Sequence, residues 1–300
     1  MIATETHVRE AKKVKFSNIL VATDFSPASD RALDYGISLA RRYNSKIFVT
    51  HVIMHDGFRP VAAEVACDSE AADRRVAQEG IGKIEKSGRL LGLRQEMVIA
   101  EGPLWPVIEE LVKKYEIDLI VVGTQGMSTL AKLVIGSNTE QIFRQSHVPV
   151  LTVGPAAKGE PLYEAEFKNI LFATDFGAGA EREAEYAFSL AQEHHSKLTL
   201  LNVPPYADDF SDEAVARKRA QVTTQLRELL PNAEELHCLP EYIVVIGEPV
   251  DEILRWANMV QADLIVMGAK TRKGLVGHVP HTIAHRVVSA AKCPVLTVRP

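Results

Sequence analysis

Tryptophan is scarce in this chain, with two residues in 300, and cysteine is hardly commoner at three. Cys67, Cys238 and Cys293 occupy unmatched positions and form no C-x2-C pair. They therefore offer neither a disulfide framework nor a thiolate metal site, and they read as the reduced thiols of a cytoplasmic protein. No apolar run approaches the roughly 18 residues that a membrane-spanning helix needs. The opening segment, MIATETHVREAKKVKF, carries charges but no apolar stretch, so no signal peptide is read there. Basic residues are not in excess either. Thirty-four Lys and Arg stand against 39 Asp and Glu, and a net charge of −5 argues against nucleic-acid or anionic-membrane partners. At 46% hydrophobic and 24% charged, 300 residues are enough for two globular cores.

The chain repeats itself. Residues 16–52 (FSNILVATDFSPASDRALDYGISLARRYNSKIFVTHV) align without a gap with residues 167–203 (FKNILFATDFGAGAEREAEYAFSLAQEHHSKLTLLNV), 151 positions on. Residues 118–149 align likewise with residues 263–294, now 145 positions on. A repeat of this length is too long for a solenoid unit and matches one whole domain. The sequence therefore divides into a first domain at 1–154, a linker at 155–165 rich in Gly, Pro and Ala, and a second domain at 166–300.

Within the first copy, apolar β-branched runs alternate with helical patterns. Strands are expected at Asn18–Ala22, Lys46–Ile53, about 95–100, Asp118–Val122 and Val148–Val153. Helices are expected over about 28–43, 65–91, 103–115 and 137–146, the first opened by Asp24 or Ser26 as cap and by Pro27. Strands apolar throughout and separated by helices imply a parallel sheet covered on both faces. The fold class is α/β: two doubly wound, Rossmann-like domains in tandem.

After its fourth strand the first copy reads Gly123-Thr-Gln-Gly126, nine residues, then Gly136-Ser137-Asn138-Thr139. That strand delivers Gly123 to the carboxyl edge of the sheet, where open α/β folds take ligands. Gly123 and Gly126 let backbone approach a phosphate closely, and Gly136-Ser137 opens a helix whose free N–H groups suit an anion. Ser137 and Thr139 add hydroxyl donors. The arrangement asks for a polyphosphate ester. The competing reading is that the glycines only make turns.

The spacing G-x2-G-x9-G-S, preceded by DLIVVG and followed by VPVLTV, together with the opening ILVATDFS, resembles the universal stress protein family over essentially the whole chain. The resemblance implies ATP binding in members that keep the motif, whereas other members carry no nucleotide. By position it implies that Ala22 and Thr23 line the site and that Asp24 meets the ribose. Val52 would flank adenine, with Val122 and Gly123 beneath ribose and phosphates. Gly126, Gly136, Ser137, Asn138 and Thr139 would hold the phosphates, any Mg2+ being carried by the phosphates and not by protein ligands. The family also pairs its last strands between domains. That pairing implies a pseudo-dimer inside this chain, leaving open a homodimer of chains and a protein partner not readable from the sequence.

The second copy departs from the motif. Gly126 becomes Thr271, Gly136 becomes His281, Asn138 becomes Ile283 and Thr139 becomes Ala284. Side chains now stand where backbone was to meet phosphate. Asp175, Val203, Gly268 and Thr282 still match their counterparts and leave a vestigial nucleoside half-site. The same stretch gains Lys270, Arg272, Lys273, His278, His281 and His285. These read as a solvated loop, with another anion as the alternative; helical zinc-site spacing is present, but no acid or Cys accompanies it.

A hydrolase reading lacks its parts: no G-x4-G-K-[ST] lysine, no G-x-S-x-G elbow and no base beside the motif, with Lys132 unconstrained in the loop. At most slow ATP hydrolysis is expected. Two non-enzymatic readings remain: a regulator whose loop 124–135 changes order with ATP, and a scaffold to which nucleotide is incidental.

Overall fold

The computed structural model describes residues 13–54, 63–124, 135–154, 157, 166–204, 211–269 and 282–300, with side chains given from residue 70 in the second helix. The loop 125–134, and with it Gly126, lies outside the described residues, as do Lys270, Arg272, Lys273, His278 and His281.

In the first copy the elements run β1 (Asn18–Ala22), α1 (Pro27–Tyr43), β2 (Lys46–Ile53), α2 (Ala63–Lys86), β3 (Arg94–Glu101), α3 (Leu104–Lys114), β4 (Leu119–Gly123), α4 (Ser137–Gln145) and β5 (Val150–Val153). The second copy follows with β6 (Asn169–Ala173), α5 (Ala180–His194), β7 (Lys197–Asn202), α6 (Asp212–Glu228), β8 (Glu241–Val244), α7 (Pro249–Met259), β9 (Leu264–Gly268), α8 (Ile283–Ala290) and β10 (Val295–Val298).

Local chemistry sets the limits of these elements. Ser26 caps α1 by accepting from Ser29 N at 3.2 Å, and Pro27 occupies the first turn, where its missing N–H costs nothing. Asn44 ends the helix in the left-handed region at φ 52°. Ser45 N then bonds Ala40 O at 2.9 Å and turns the chain into β2. The second copy has Gly177 where the first has Ser26, so that capping side chain is lost. Helix α5 accordingly begins at Ala180, two positions later than α1 by alignment, with no side-chain cap bond.

All ten strands form one sheet in the order β3-β2-β1-β4-β5-β10-β9-β6-β7-β8. Among the described residues every pairing is parallel except one: β10 lies antiparallel to β5, with Leu296 opposite Leu151. The two halves therefore share a sheet and run in opposite senses across this seam. Buried side chains form two layers, one on each face. One holds Ile19, Val21, Leu39, Ile170, Phe188 and Leu198, the other Leu20, Phe48, Ile120, Leu171, Ile265 and Val287. Each layer contains residues of both halves. The fold is thus the expected tandem of doubly wound α/β units.

Candidate nucleotide site

In the first copy β2, β1 and β4 are neighbours, so their carboxyl ends meet at one edge. Ala22 ends β1, Val52 lies one residue from the end of β2, and Val122 and Gly123 end β4. Val52 and Val122 are buried in the same apolar layer and make the floor of the edge. Thr23 N continues the ladder onto Thr50 O at 2.9 Å. Its hydroxyl lies 3.1 Å from Ser29 Oγ and accepts from Phe25 N at 3.0 Å. Asp24 then accepts from Ser26 N through Oδ1 at 3.0 Å, a side-chain turn that carries Phe25 through φ 63°. Asp24 Oδ2 has no partner among the described residues and stays available at the edge. Of the two caps the sequence allowed, Ser26 holds the helix and Asp24 holds the turn before it.

Across the edge stands the start of α4. Gly136 is its N-cap and, having no side chain, makes no cap bond. The first N–H groups of a helix have no intrahelical acceptor, and the helix dipole adds positive character there. Ser137 and Asn138 are exposed in that first turn. Two hydrogen bonds fix this helix start to the end of β4: Gly136 N to Thr124 O at 2.8 Å, and Thr139 Oγ1 to Gly123 O at 2.6 Å. Thr139 is buried, and its hydroxyl hydrogen is used within the protein. It braces the stem of the loop, where the motif had suggested a donor to phosphate.

Gly123 also has a reason that the motif did not disclose. A Cβ there would lie 2.6 Å from the carbonyl carbon of Ala28 and 2.8 Å from Ser29 N, both backbone atoms of α1. The glycine is required by the helix packed over it, whether or not a ligand is present. This packing role stands beside the phosphate approach that the motif leads one to expect.

Two residues at the edge escaped the sequence reading. His51 Nδ1 lies 2.8 Å from Thr23 O, and because a carbonyl only accepts, Nδ1 must carry the proton. The imidazole stacks on Phe25 with ring centroids 4.5 Å apart, so it holds the β1–α1 turn from below. The second copy makes the same bond with another residue, Asn202 Nδ2 to Thr174 O at 2.8 Å. A polar residue at this aligned position in both copies was the available signal. Thr124 is the other: its Oγ1 is buried at the mouth of the loop with no partner among the described residues.

The groups at this edge suit an adenine nucleotide: an apolar floor, a carboxylate oxygen for hydroxyls, and an uncapped helix start for phosphate. No group of three His, Cys, Asp or Glu able to hold a metal occurs among the described residues.

At the corresponding edge of the second copy there is a cavity of about 350 Å³. Asp175, Val203, Gly268 and Thr282 all line it, so these four positions do come together. Asp175 repeats the turn, accepting from Gly177 N at 2.9 Å. Thr282, by contrast, caps α8 by accepting from His285 N at 3.2 Å. Beside Gly268 the place held by α1 backbone in the first copy is taken by the carboxylate of Glu183, which is 6% exposed and whose Cδ would lie 2.8 Å from an added Cβ. Glu183 aligns with Ala32 and was not singled out in the sequence. Among the described residues His285 belongs to no group of three metal ligands, and it faces Glu140 of the first copy; His278 and His281, which complete the spacing, lie outside those residues.

The family model described as "Universal stress protein family" matches residues 15–154 and again 166–299. A universal stress protein of Methanocaldococcus jannaschii is 29% identical over 140 residues, covering 46% of this chain and 82% of that protein. One of Mycolicibacterium smegmatis is 24% identical over 302 residues, covering 94% of this chain and 97% of its own length. Among solved structures, a universal stress protein of Archaeoglobus fulgidus shares the fold with a TM-score of 0.69 at 22% identity, over 95% of this chain and 97% of that one. Matched in both halves by one family description, and along nearly its whole length by a relative of the same size, this chain belongs to the universal stress protein family.

Proposed function

We propose that the chain is an ATP-binding regulator of the stress response, with nucleotide held by a first domain at 1–154. A second domain at 166–300, joined through 155–165, acts as its pseudo-dimer partner. The observation that carries this reading is the uncapped start of α4, fixed by Gly136 and Thr139 at the sheet edge opposite Asp24. Ala22, Thr23, Val52, Val122 and Gly123 supply the floor; Asp24 takes ribose hydroxyls; Gly136, Ser137 and Asn138 present N–H and side-chain groups to phosphate. Bound ATP brings its own charge and any Mg2+. The protein's part is to position the nucleotide, and no catalytic residue is assigned.

The second site supports a different role. Glu183 brings a buried carboxylate to the cavity and Thr282 caps its helix, so among the described residues the uncapped helix start that favours phosphate in domain 1 is missing. The antiparallel β5–β10 seam supports the partner role. Cytoplasmic residence is proposed from the unmatched cysteines. The described residues include no helix long and apolar enough to cross a membrane.

A scaffold without nucleotide draws on one observation, the packing requirement at Gly123. One experiment separates the two readings. Freshly purified protein is denatured, and the released nucleotide is identified by mass and counted per chain. About one adenine nucleotide per chain, lost in Gly136→Asp while the circular dichroism spectrum is kept, is the expected result. No released nucleotide and no binding of added ATP would leave the scaffold.

A further inference from the structure

The β5–β10 seam pairs aligned positions. Leu151 faces Leu296, its counterpart 145 residues on, and the flanking bonds repeat in mirror order. Thr152 Oγ1 donates to Val295 O at 3.0 Å, and the counterpart Thr297 Oγ1 donates to Val150 O at 3.2 Å. A junction of this kind brings equivalent side chains face to face. In a pair of identical domains each such residue would meet its own copy, and any charge near the axis would meet the same charge.

This chain carries charged residues at two such positions, one on each face of the sheet. Between α1 and α5, Arg42 aligns with Glu193. Arg42 Nη1 donates to Glu193 O at 3.1 Å, and the Glu193 carboxylate takes Lys13 Nζ, also from the first half, at 2.9 Å. Between α4 and α8, Glu140 aligns with His285, and His285 Nε2 stands 3.8 Å from Glu140 Oε2. Arg144 holds the other oxygen of Glu140 at 3.1 Å. Two first halves would set Arg42 against Arg42 and Glu140 against Glu140, whereas two second halves would set Glu193 against Glu193. The mixed pair alone removes like-charge contact at both places.

We propose that these positions form a charge code that selects the partner of the first domain. The surface around the seam fits a domain with an acid at the 193 position and no acid at the 285 position, which is this chain's own second half. It rejects a second copy of the first. The proposal rests on reading the two halves as paired partners. Discrimination of this type comes as much from repulsion in the wrong pair as from attraction in the right one.

The test uses the full chain and hydrogen exchange of the β5 and β10 amides. Glu193→Arg with His285→Glu gives the second half the residues of the first. Losing the part-buried Lys13–Glu193 and His285–Glu140 contacts and gaining similar repulsion at both places should speed seam exchange about tenfold. Amides within β1 and β4 should keep their wild-type rates, which shows that the domains remain folded. The neutral pair Glu193→Gln with His285→Gln should fall between. Adding Arg42→Glu and Glu140→His to the charged pair restores opposite residues at these two positions and should return exchange part of the way towards wild type, since Lys13 and Arg144 keep their charge beside them. Wild-type rates in the charged pair, or no recovery in the fourfold variant, would overturn the charge code. Wild-type seam amides exchanging as freely as those of the outer strand β3 would overturn the pairing itself, and the code with it.

Discussion

His194 should make the protein labile to mild acid. The side chain closes α5 beside the first half, 7% exposed, packed against Phe167 at 4.8 Å and Tyr43 at 6.2 Å between ring centroids. Its Nδ1 accepts from Phe167 N at 3.4 Å, so that nitrogen carries no proton, and a second proton would set two donors against each other. Nε2 is buried without a partner among the described residues. Burial, aided by Arg42 and His195, holds the imidazole pKa down at about 3. In the unfolded chain the same group titrates near 6.5. The unfolded state therefore takes up a proton first, and stability contributed by neutral His194 is complete above pH 6.5 and lost as pH falls towards 3. At ~1.4 kcal/mol per pH unit, the loss reaches about 2 kcal/mol by pH 5. Urea unfolding at intervals from pH 7.5 to 4.5 measures it, with His194→Asn as the comparison because Asn Oδ1 can still accept from Phe167 N. The variant should lose roughly 1–2 kcal/mol at pH 7.5 through poorer packing and then lack this acid-dependent share. A variant with the same pH slope as wild type would refute the reasoning, since the slope would then belong to other groups.

Gly123→Ala should cost roughly 1–3 kcal/mol of thermal or urea stability, because its Cβ meets α1 backbone that cannot move alone. Gly268→Ala should cost less, since the obstacle there is the end of the Glu183 side chain; equal costs would show that the helix start yields. Cys293 is buried, and burial pushes its thiol up to about 12, so a thiol reagent at pH 8 should label the half-buried Cys238 in preference to Cys293. Peptide mass mapping checks this, and labelling of native Cys293 at the rate of Cys238 would contradict it.

The fold was legible wherever local and global signals agreed. Lys46–Ile53 and Asn18–Ala22 are apolar, β-branched and bracketed by turn residues, and they are strands with the expected limits. The second helix ends at Lys86, short of the expected residue 91, because Gly88 turns the chain at φ 74°. That Asp24, Val52 and Gly123 share one edge was legible too, since strand order alone brings them there. What Gly123 and Thr139 do there was not. Their partners, Ala28 backbone in one case and Gly123 O in the other, become neighbours only when α1 and α4 pack on β4. Glu183 was illegible for the same reason: an acid on a helix reads as solvated until the shortened start of α5 is seen to leave room for it. Arg42 and Glu193 are ordinary surface residues in the sequence, and only the seam makes them opposite numbers.

That seam joins two strands of four residues with three aligned residue pairs, a small contact for domains meeting from solution. Here the partners are halves of one polypeptide, joined by the chain from Val153 to Asn169. A short connection of this sort supplies an effective concentration in the millimolar range. Separate domains of millimolar affinity would stand apart at micromolar protein, whereas the tethered pair closes to the same extent at every dilution. The strength of the seam is then set by sequence alone, not by how much protein is present.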